Sequence, residues 1–189
     1  MPVQLLCPKR FADDRGWFSE TFHARRLAEQ GIDNAFCQDN QSLSGPVGTV
    51  RGIHFQRPPH MQAKLVRCVS GSLWDLAIDL RAGSPTYGKW VAAMLTAGNG
   101  RQLFIPAGFG HAFVTLAANT EVLYKVDDYY APDCDGGVLW SDPDLGIGWP
   151  LPESVTPLLS GKDRKLPKLA DWQSPFEYDG RPLRPLPAE

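Results

Sequence analysis

The 189-residue chain lacks a strong charge of either sign: 19 lysines and arginines stand against 21 aspartates and glutamates, a formal net charge of −2. That balance excludes the wholesale basic bias that nucleic-acid binding draws on, while leaving room for a local basic pocket around a small anion. Cysteine is sparse. Cys7, Cys37, Cys68 and Cys134 are widely spaced and form no CxxC pair. They read as free thiols acting as small hydrophobes in a reducing cytosol, since a chain of this length needs no disulfide framework. Long apolar runs are missing too. The first ten residues carry Pro2 and Pro8 and no apolar segment of signal-peptide character. The uncharged stretch from Leu103 to Thr120 is broken by Pro106, Gly108, Gly110 and His111, so it reads as strand, turn, strand and not as a membrane span. The chain therefore reads as soluble and cytoplasmic, with neither nucleic acid nor membrane as partner.

Long helical periodicity is also scarce, and 17 prolines and 18 glycines punctuate the sequence throughout. The best helix candidate is short, His23 to Glu29, ended by Gly31. The middle of the chain reads as short strands separated by turn signals: Gly48–Gln56, Lys64–Val69, Leu73–Leu80, Lys89–Leu95, Gln102–Ile105, Ala112–Leu116 and Glu121–Tyr130. Such regular spacing predicts an all-β sandwich or barrel of antiparallel sheets within one domain spanning 1–189. Alternation along the third strand puts Trp74, Leu76, Ile78 and Leu80 on one face and Asp75, Ala77 and Asp79 on the other. Along the last strand it puts Tyr124, Val126, Asp128 and Tyr130 together, so two phenols look into a common space. After Asp142 the strand signal fades. A short helix or turn is expected near Ser160 to Lys168, and a loosely held tail from about Ser174 to Glu189.

The sharpest local pattern is Gly100, five residues, Pro106-Ala-Gly108, two residues and His111. It matches the second motif of cupins, in which the Pro-x-Gly turn reverses the chain between two strands and the histidine enters the barrel. Cupin metal sites add His-x-His and a glutamate. Here the corresponding segment is His54-Phe55-Gln56 followed by Lys64, and an ammonium offers no lone pair and repels a divalent cation. The sequence thus predicts a cupin-like barrel with short peripheral helices and no metal. Histidine exchanges protons near neutral pH. A lysine in a partly dry pocket stabilises a developing oxyanion. A tyrosine donates a proton from a second direction. This trio suits proton abstraction beside a carbonyl, passage through an enolate and reprotonation, which inverts the carbon when base and acid stand on opposite faces. Taken singly, each residue has an ordinary explanation: a structural strand histidine, a solvated lysine, a packing tyrosine. Their combination with the altered metal motif carries the argument.

The segments Arg51-Gly-Ile-His54-Phe-Gln56 and Lys64-Leu-Val-Arg-Cys68 resemble the dTDP-4-dehydrorhamnose 3,5-epimerase family. So do Asp14-Arg15-Gly16-Trp17-Phe18 with Glu20, Gln38-Asp39-Asn40, Ser84-Pro85-Thr86, Ile105 to His111, Tyr124-Lys125, Tyr129-Tyr130, Trp140-Ser-Asp142, Trp149-Pro150 and Lys162-Asp163. The resemblance implies a cupin-type jelly-roll homodimer. It would invert C3 and C5 of dTDP-4-keto-6-deoxy-glucose without a cofactor, in the synthesis of dTDP-L-rhamnose for cell-surface polysaccharide. By motif position His54 is the implied base, Asp163 its orienter, Tyr124 the proton donor and Lys64 the partner of the C4 enolate. Arg15, Glu20, Gln38, Asp39, Asn40, Arg51, His111 and Lys162 fall where the family binds the nucleotide-sugar, and Phe18 and Tyr130 where it walls the pocket or stacks on the base. An arginine fork suits a diphosphate.

Asp75 is a candidate orienter for His111, with a solvated strand aspartate as the alternative. Two departures stand out. Gln41 occupies the place of a histidine in many relatives. Asp135 replaces a ligand-contacting glutamate one methylene longer, so that contact is expected to be lost or bridged by water. Three other functions fit parts of the pattern: a single-centre epimerase of another 4-keto sugar, a metal-dependent cupin enzyme, and a sugar-binding cupin without turnover.

Overall fold

The computed structural model describes residues 1–187. Among them, twelve strands form two five-stranded antiparallel sheets and a separate hairpin. In chain order they are β1 (Gln4–Leu6), β2 (Arg10–Asp13), β3 (Gly16–Ser19), β4 (Gln38–Ser44), β5 (Val50–Gln56), β6 (Lys64–Ser70), β7 (Ser72–Asp79), β8 (Trp90–Thr96), β9 (Gln102–Ile105), β10 (Phe109–Thr115), β11 (Thr120–Val126) and β12 (Asp135–Gly137). One sheet has the order β1-β9-β6-β11-β4 and the other β12-β5-β10-β7-β8. β2 and β3 pair only with each other. This is the all-β, cupin-like jelly roll expected from the sequence, with helix α1 (Ala24–Glu29) and four short 3-10 turns at its periphery. No helix among the described residues is long and apolar enough to cross a membrane.

The pleat sorts the core into two layers. Between the sheets lie Val66, Cys68, Leu103 and Val122 from one and Leu73, Ala77, Leu95, Phe109 and Phe113 from the other. The face of β7 carrying Trp74, Leu76 and Ile78 turns outward and is covered by Val138, Leu145, Trp149, Trp172 and Phe176. Both faces of β7 are thus buried, and its hydrophobic side is not the barrel interior. On the opposite flank, α1 seats Leu27 with Ile32, Leu65 and Phe104. Its His23 side chain accepts the Arg26 amide hydrogen at the helix start.

Five strands fall outside those read from the sequence: β1 to β4 and β12. Each is short, edge-placed or polar, and β4 alternates Gln38, Asn40 and Ser42 with exposed Asp39, Gln41 and Leu43, so no apolar period announces it. The expected final strand to Tyr130 stops at Val126. Asp127 then turns away to accept the amides of Ala63 and the Asn34 side chain at 2.6 Å each.

The tail also departs from expectation. Instead of lying loose, the segment from Ser174 is fastened to the barrel. Ser174 donates to the Leu80 carbonyl, Phe176 is buried against Phe55 and Trp172, and the Arg181 amide and Arg81 guanidinium both bind Asp179. Arg81 is itself held by Asp79 at 2.8 Å. The proline content of this segment reflects extended chain packed on a surface, which has no helical or strand period to detect. Residues 188–189 of the expected tail lie outside the described residues. Since Phe176 fills the outer layer, Phe176→Ala is expected to destabilise the fold by about 3–5 kcal/mol, measured as a lowered midpoint in urea unfolding with an unchanged slope.

Candidate active site

The space between the sheets opens at one end into a cavity of about 330 Å³, lined by residues from both sheets and from three loops. Lys64 enters from β6, Tyr124 from β11, Gln38 and Asn40 from β4, and His54 and Gln56 from β5. Two of them share the inward face of their strand with core residues: Lys64 with Val66 and Cys68, Tyr124 with Val122. The volume suits a hexose-sized ligand and is near the lower end for small-molecule sites.

The two strands that carry histidines meet in a specific way. His111 of β10 pairs with His54 of β5, yet Phe113 pairs with Arg51, so β5 holds one extra residue between the two points. The irregularity falls at Gly52-Ile53. There φ of Gly52 is +118° and a Cβ would lie 2.5 Å from the His111 carbonyl oxygen and 2.7 Å from Ala112 Cα, so only glycine fits. The bulge resets the alternation and puts Arg51 and His54, three residues apart, on the same side of the sheet. The second required glycine is Gly108 (φ +88°), in the Pro-x-Gly turn, where a Cβ would meet Arg81 Cγ at 2.9 Å.

His54 Nε2 lies 2.7 Å from Asp163 Oδ1, and their side chains are 31% and 4% exposed. The ring reaches the cavity while the carboxylate behind it is dry. Asp163 Oδ2 accepts the Gly52 amide at 3.4 Å, and the Asp163 amide donates to Ser160 Oγ at 3.0 Å. Burial would push the Asp163 carboxyl up, but hydrogen bonds from His54, Gly52 and Ser160 outweigh it and hold it below the usual carboxylate range. An ionised carboxylate only accepts, so His54 carries its proton on Nε2 and leaves Nδ1 as the basic atom.

Beneath this pair sits a second one. His111 Nε2 lies 2.6 Å from Asp75 Oδ1, with the ring 8% exposed and the carboxylate fully buried. Asp75 is therefore the His111 partner, not a solvated strand residue. Burial pushes the imidazolium of His111 down against the pull of Asp75, so the ring is neutral. Burial likewise lowers Lys64 to about 8, with Asp75 and Asp135 opposing and Lys162 assisting. Burial raises the Tyr124 phenol, and Arg51 draws it partly back. The cavity thus offers a desolvated ammonium and a phenol that keeps its proton, with the neutral imidazole of His111 buried against Asp75.

At the mouth, Asp135 binds both the Tyr130 hydroxyl at 3.2 Å and Lys162. The shortened acid is therefore engaged by its own chain. Tyr130 lines the cavity with Tyr124, as the alternation suggested, but through a loop: its amide donates to Gln38 Oε1 at 3.1 Å. Gln56, quoted in the sequence only as part of a motif, fixes that loop. Its amide group donates to the His60 and Tyr129 carbonyls at 2.7 and 3.2 Å and its oxygen accepts the Ala131 amide at 2.7 Å. Its inward position two residues after His54 was a legible signal. Gln62, which also lines the cavity, had none.

Several residues expected at the ligand do not line this cavity. Glu20 and Asp39 border a second cavity of about 300 Å³ on the outer side of β4, β6 and β11, which Asn40 and Tyr124 also touch. Glu20 pairs with Arg26 and Asp39 with Lys125. Arg51 lines neither cavity and is bonded to Ser44 Oγ and the Leu43 carbonyl at 3.3 Å. Gln41 is exposed on the outer face of β4. Arg15 and Phe18 stand on the β2–β3 hairpin, 90% exposed at the Arg15 side chain and 69% at Phe18, and among the described residues Arg15 bonds only its neighbour Asp13, at 2.6 Å.

The sequence model of the dTDP-4-dehydrorhamnose 3,5-epimerase family matches residues 2–171. A dTDP-4-dehydrorhamnose 3,5-epimerase of Sinorhizobium fredii is 49% identical over 176 residues, 93% of this chain and 89% of that one. Among solved structures, the dTDP-6-deoxy-D-glucose-3,5-epimerase of Legionella pneumophila in complex with dTDP-4-keto-L-rhamnose superposes with a TM-score of 0.89 at 40% identity, covering 94% of each chain. The dTDP-4-dehydrorhamnose 3,5-epimerase of Bacillus anthracis with TDP and pyrophosphate bound gives 0.85 at 47% identity, covering 88% of this chain and 93% of that one. With its jelly roll, its inward His54, Lys64 and Tyr124 and these likenesses along nearly its whole length, the chain belongs to the dTDP-4-dehydrorhamnose 3,5-epimerase family of isomerases.

Proposed function

We propose that this protein inverts C3 and C5 of dTDP-4-dehydro-6-deoxy-D-glucose by proton abstraction and return beside the C4 ketone, with the roles carried by its own side chains. The observation that carries the reading is the convergence of His54, Lys64 and Tyr124 on one cavity from three strands in two sheets. His54 Nδ1 takes the carbon-bound proton, and the electron pair moves onto the ketone oxygen. Asp163 stabilises the imidazolium so formed, as a buried, hydrogen-bonded carboxylate does. The Lys64 ammonium faces the enolate oxygen, where a desolvated cation acts more strongly than in water. The Tyr124 phenol returns a proton to the opposite face of the carbon, and solvent at the part-exposed His54 ring restores both groups. A cytosolic setting agrees with four free thiols and a nucleotide-linked substrate.

The enzyme would act as a homodimer. Arg15 and Phe18 project from a hairpin that also exposes Phe11 and Trp17, an apolar patch suited to a second copy. Placed there, Arg15 would bind the diphosphate in the partner's pocket, whose own volume leaves the nucleotide outside. A mixture of Arg15→Ala and His54→Ala chains, reassociated from dissociated subunits, is then expected to regain about a quarter of wild-type activity, because each mixed dimer rebuilds one intact site. Mixing that restores nothing would refute the exchange.

In heavy water, the wild type is expected to place deuterium at both C3 and C5 by proton NMR; exchange at one carbon alone would identify a single-centre epimerase. His54→Ala should lower kcat by about 10²–10⁴ while leaving dTDP binding nearly unchanged. Tyr124→Phe should impair inversion more than initial exchange.

The desolvation that serves Lys64 also costs stability. Its folded value of about 8 lies below the free-lysine value of roughly 10.4. The cost is fully present below pH 8 and vanishes as pH rises toward the unfolded value. Lys64→Met should therefore abolish turnover yet stabilise the fold at pH 7 by on the order of 1–3 kcal/mol, an advantage over wild type that shrinks between pH 8 and 10 in denaturant titrations.

A further inference from the structure

One arginine far from the cavity ties the projecting hairpin to the barrel. Arg10 opens β2, and its side chain reaches the turn 97–101, which carries the chain from β8 in one sheet to β9 in the other. Its Nη1 donates to the Gly98 carbonyl at 2.5 Å and its Nη2 to the Ala97 carbonyl at 2.7 Å. The cation also lies over the Trp17 ring of β3, with Cζ 4.0 Å from the ring centroid. Among the described residues, nothing else in the stretch 11–19 hydrogen-bonds the barrel. Arg15 bonds Asp13, Ser19 bonds the Lys9 carbonyl, and the two strands bond each other.

The turn is built to receive that cation. Asn99 Oδ1 accepts the amides of Thr96 and Arg101 at 3.0 Å each, and Asn99 Nδ2 donates to the Met94 carbonyl at 2.9 Å. The Gly100 amide closes the turn on the Thr96 carbonyl at 3.1 Å. Two successive carbonyls then meet a planar fork that holds both in one orientation, which a lysine ammonium would not do. Gly100 completes the seat. Its φ is +61°, and a Cβ there would lie 2.6 to 2.8 Å from Nη2, Cζ and Nε of Arg10, so the guanidinium rests against backbone that only glycine leaves open. A two-stranded ribbon without a third strand is marginal in water by itself. The direction in which its tip projects is therefore set at this base.

We propose that Arg10 is a positioning residue for the neighbouring protomer's site: seated in the turn 97–101, its guanidinium fixes the direction of the hairpin and so pre-organises Arg15 and Phe18 for the nucleotide-sugar in the partner's pocket. The inference deepens the reading of the hairpin as an arm that reaches the partner, and rests on it. Arg10 itself touches no substrate. It pays the ordering cost of the arm during folding, so that this cost is not charged against binding.

Two substitutions break the contact, one from each partner: Arg10→Met removes the cation, and Gly100→Ala pushes it from its seat. In the full-length enzyme, either is expected to speed amide hydrogen exchange at residues 11–19 by about tenfold while β5 to β11 exchange as in wild type. Either should raise KM about tenfold with kcat held within about twofold, a split that general loosening of the barrel would not give. The two together should do no more than one alone. In a chain already carrying Arg15→Ala and Phe18→Ala, Arg10→Met should add nothing to KM. Unchanged exchange in the hairpin overturns the proposal, and so does a wild-type KM in a hairpin that has loosened. A further rise of KM in the chain without Arg15 and Phe18 overturns it as well, since Arg10 would then act by another route. If Arg15→Ala with Phe18→Ala leaves KM unchanged, the arm takes no part in binding and the reading beneath the proposal falls. Faster exchange in Arg10→Met would in that case still establish the clamp, so the two failures are told apart.

Discussion

Desolvation of charge between two β-sheets is the constraint on which the rest of this structure depends. The inter-sheet space is apolar through most of its depth, and at one end five strands replace hydrophobic side chains with His54, Lys64, Asp75, His111 and Tyr124. Each such replacement is unfavourable for folding taken alone. Together they compensate: Asp163 answers His54, Asp75 answers His111, and Asp135 answers Lys162. The same low-dielectric surroundings that make the groups expensive lower the ammonium toward neutrality and hold the phenol protonated. Reactivity and instability here have one cause.

The remainder of the fold can be understood as support for that cluster. The outer face of β7 is closed by chain from Val138 to Phe176, which lets its inner face carry an aspartate without exposing the strand to water. The C-terminal segment is fastened through Arg81, whose guanidinium spans Asp79 and Asp179. Gln56 performs a similar service at the mouth, tying two loops through three hydrogen bonds so that Tyr130 and Asp135 stand beside Lys162. Lys162 adjoins Asp163 in the chain, so the cation paired with Asp135 at the cavity mouth and the carboxylate behind His54 are carried by one short turn.

The hairpin is the part that the single chain leaves unexplained. Its two strands bond to each other and to neither sheet, and its aromatic side chains face outward. Arg10 stacks over Trp17 at 4.0 Å and binds the Gly98 and Ala97 carbonyls at 2.5 and 2.7 Å, so the hairpin base is anchored even though its tip is free. An anchored, projecting, aromatic tip is a geometry for reaching another surface, and the dimer proposed above gives it one.

How much was legible in the sequence follows from which physical rule each feature obeys. Strands β5 to β11 obey the period of two strongly enough to be read, with ends misjudged by a few residues, and the Pro-x-Gly turn placed His111 inside the barrel. The convergence of His54, Lys64 and Tyr124 was expected from residue chemistry and from the family likeness. β1 to β4 and β12 were not legible, because their alternation is polar or too short. Alternation could separate Asp75 from Trp74 but could not say which side was the interior, since both faces of β7 are buried and only the distant C-terminal chain marks one as outer. Nor could it place Arg51 and His54 on one side of a strand: that required the bulge at Gly52, whose need appears only where β5 meets the backbone of His111 and Ala112. The sequence by itself determined the secondary-structure periods and the chemical inventory, since both are local. Tertiary structure alone decided inside from outside, and which charges answer one another, because burial and electrostatic pairing are properties of neighbours far apart in the chain.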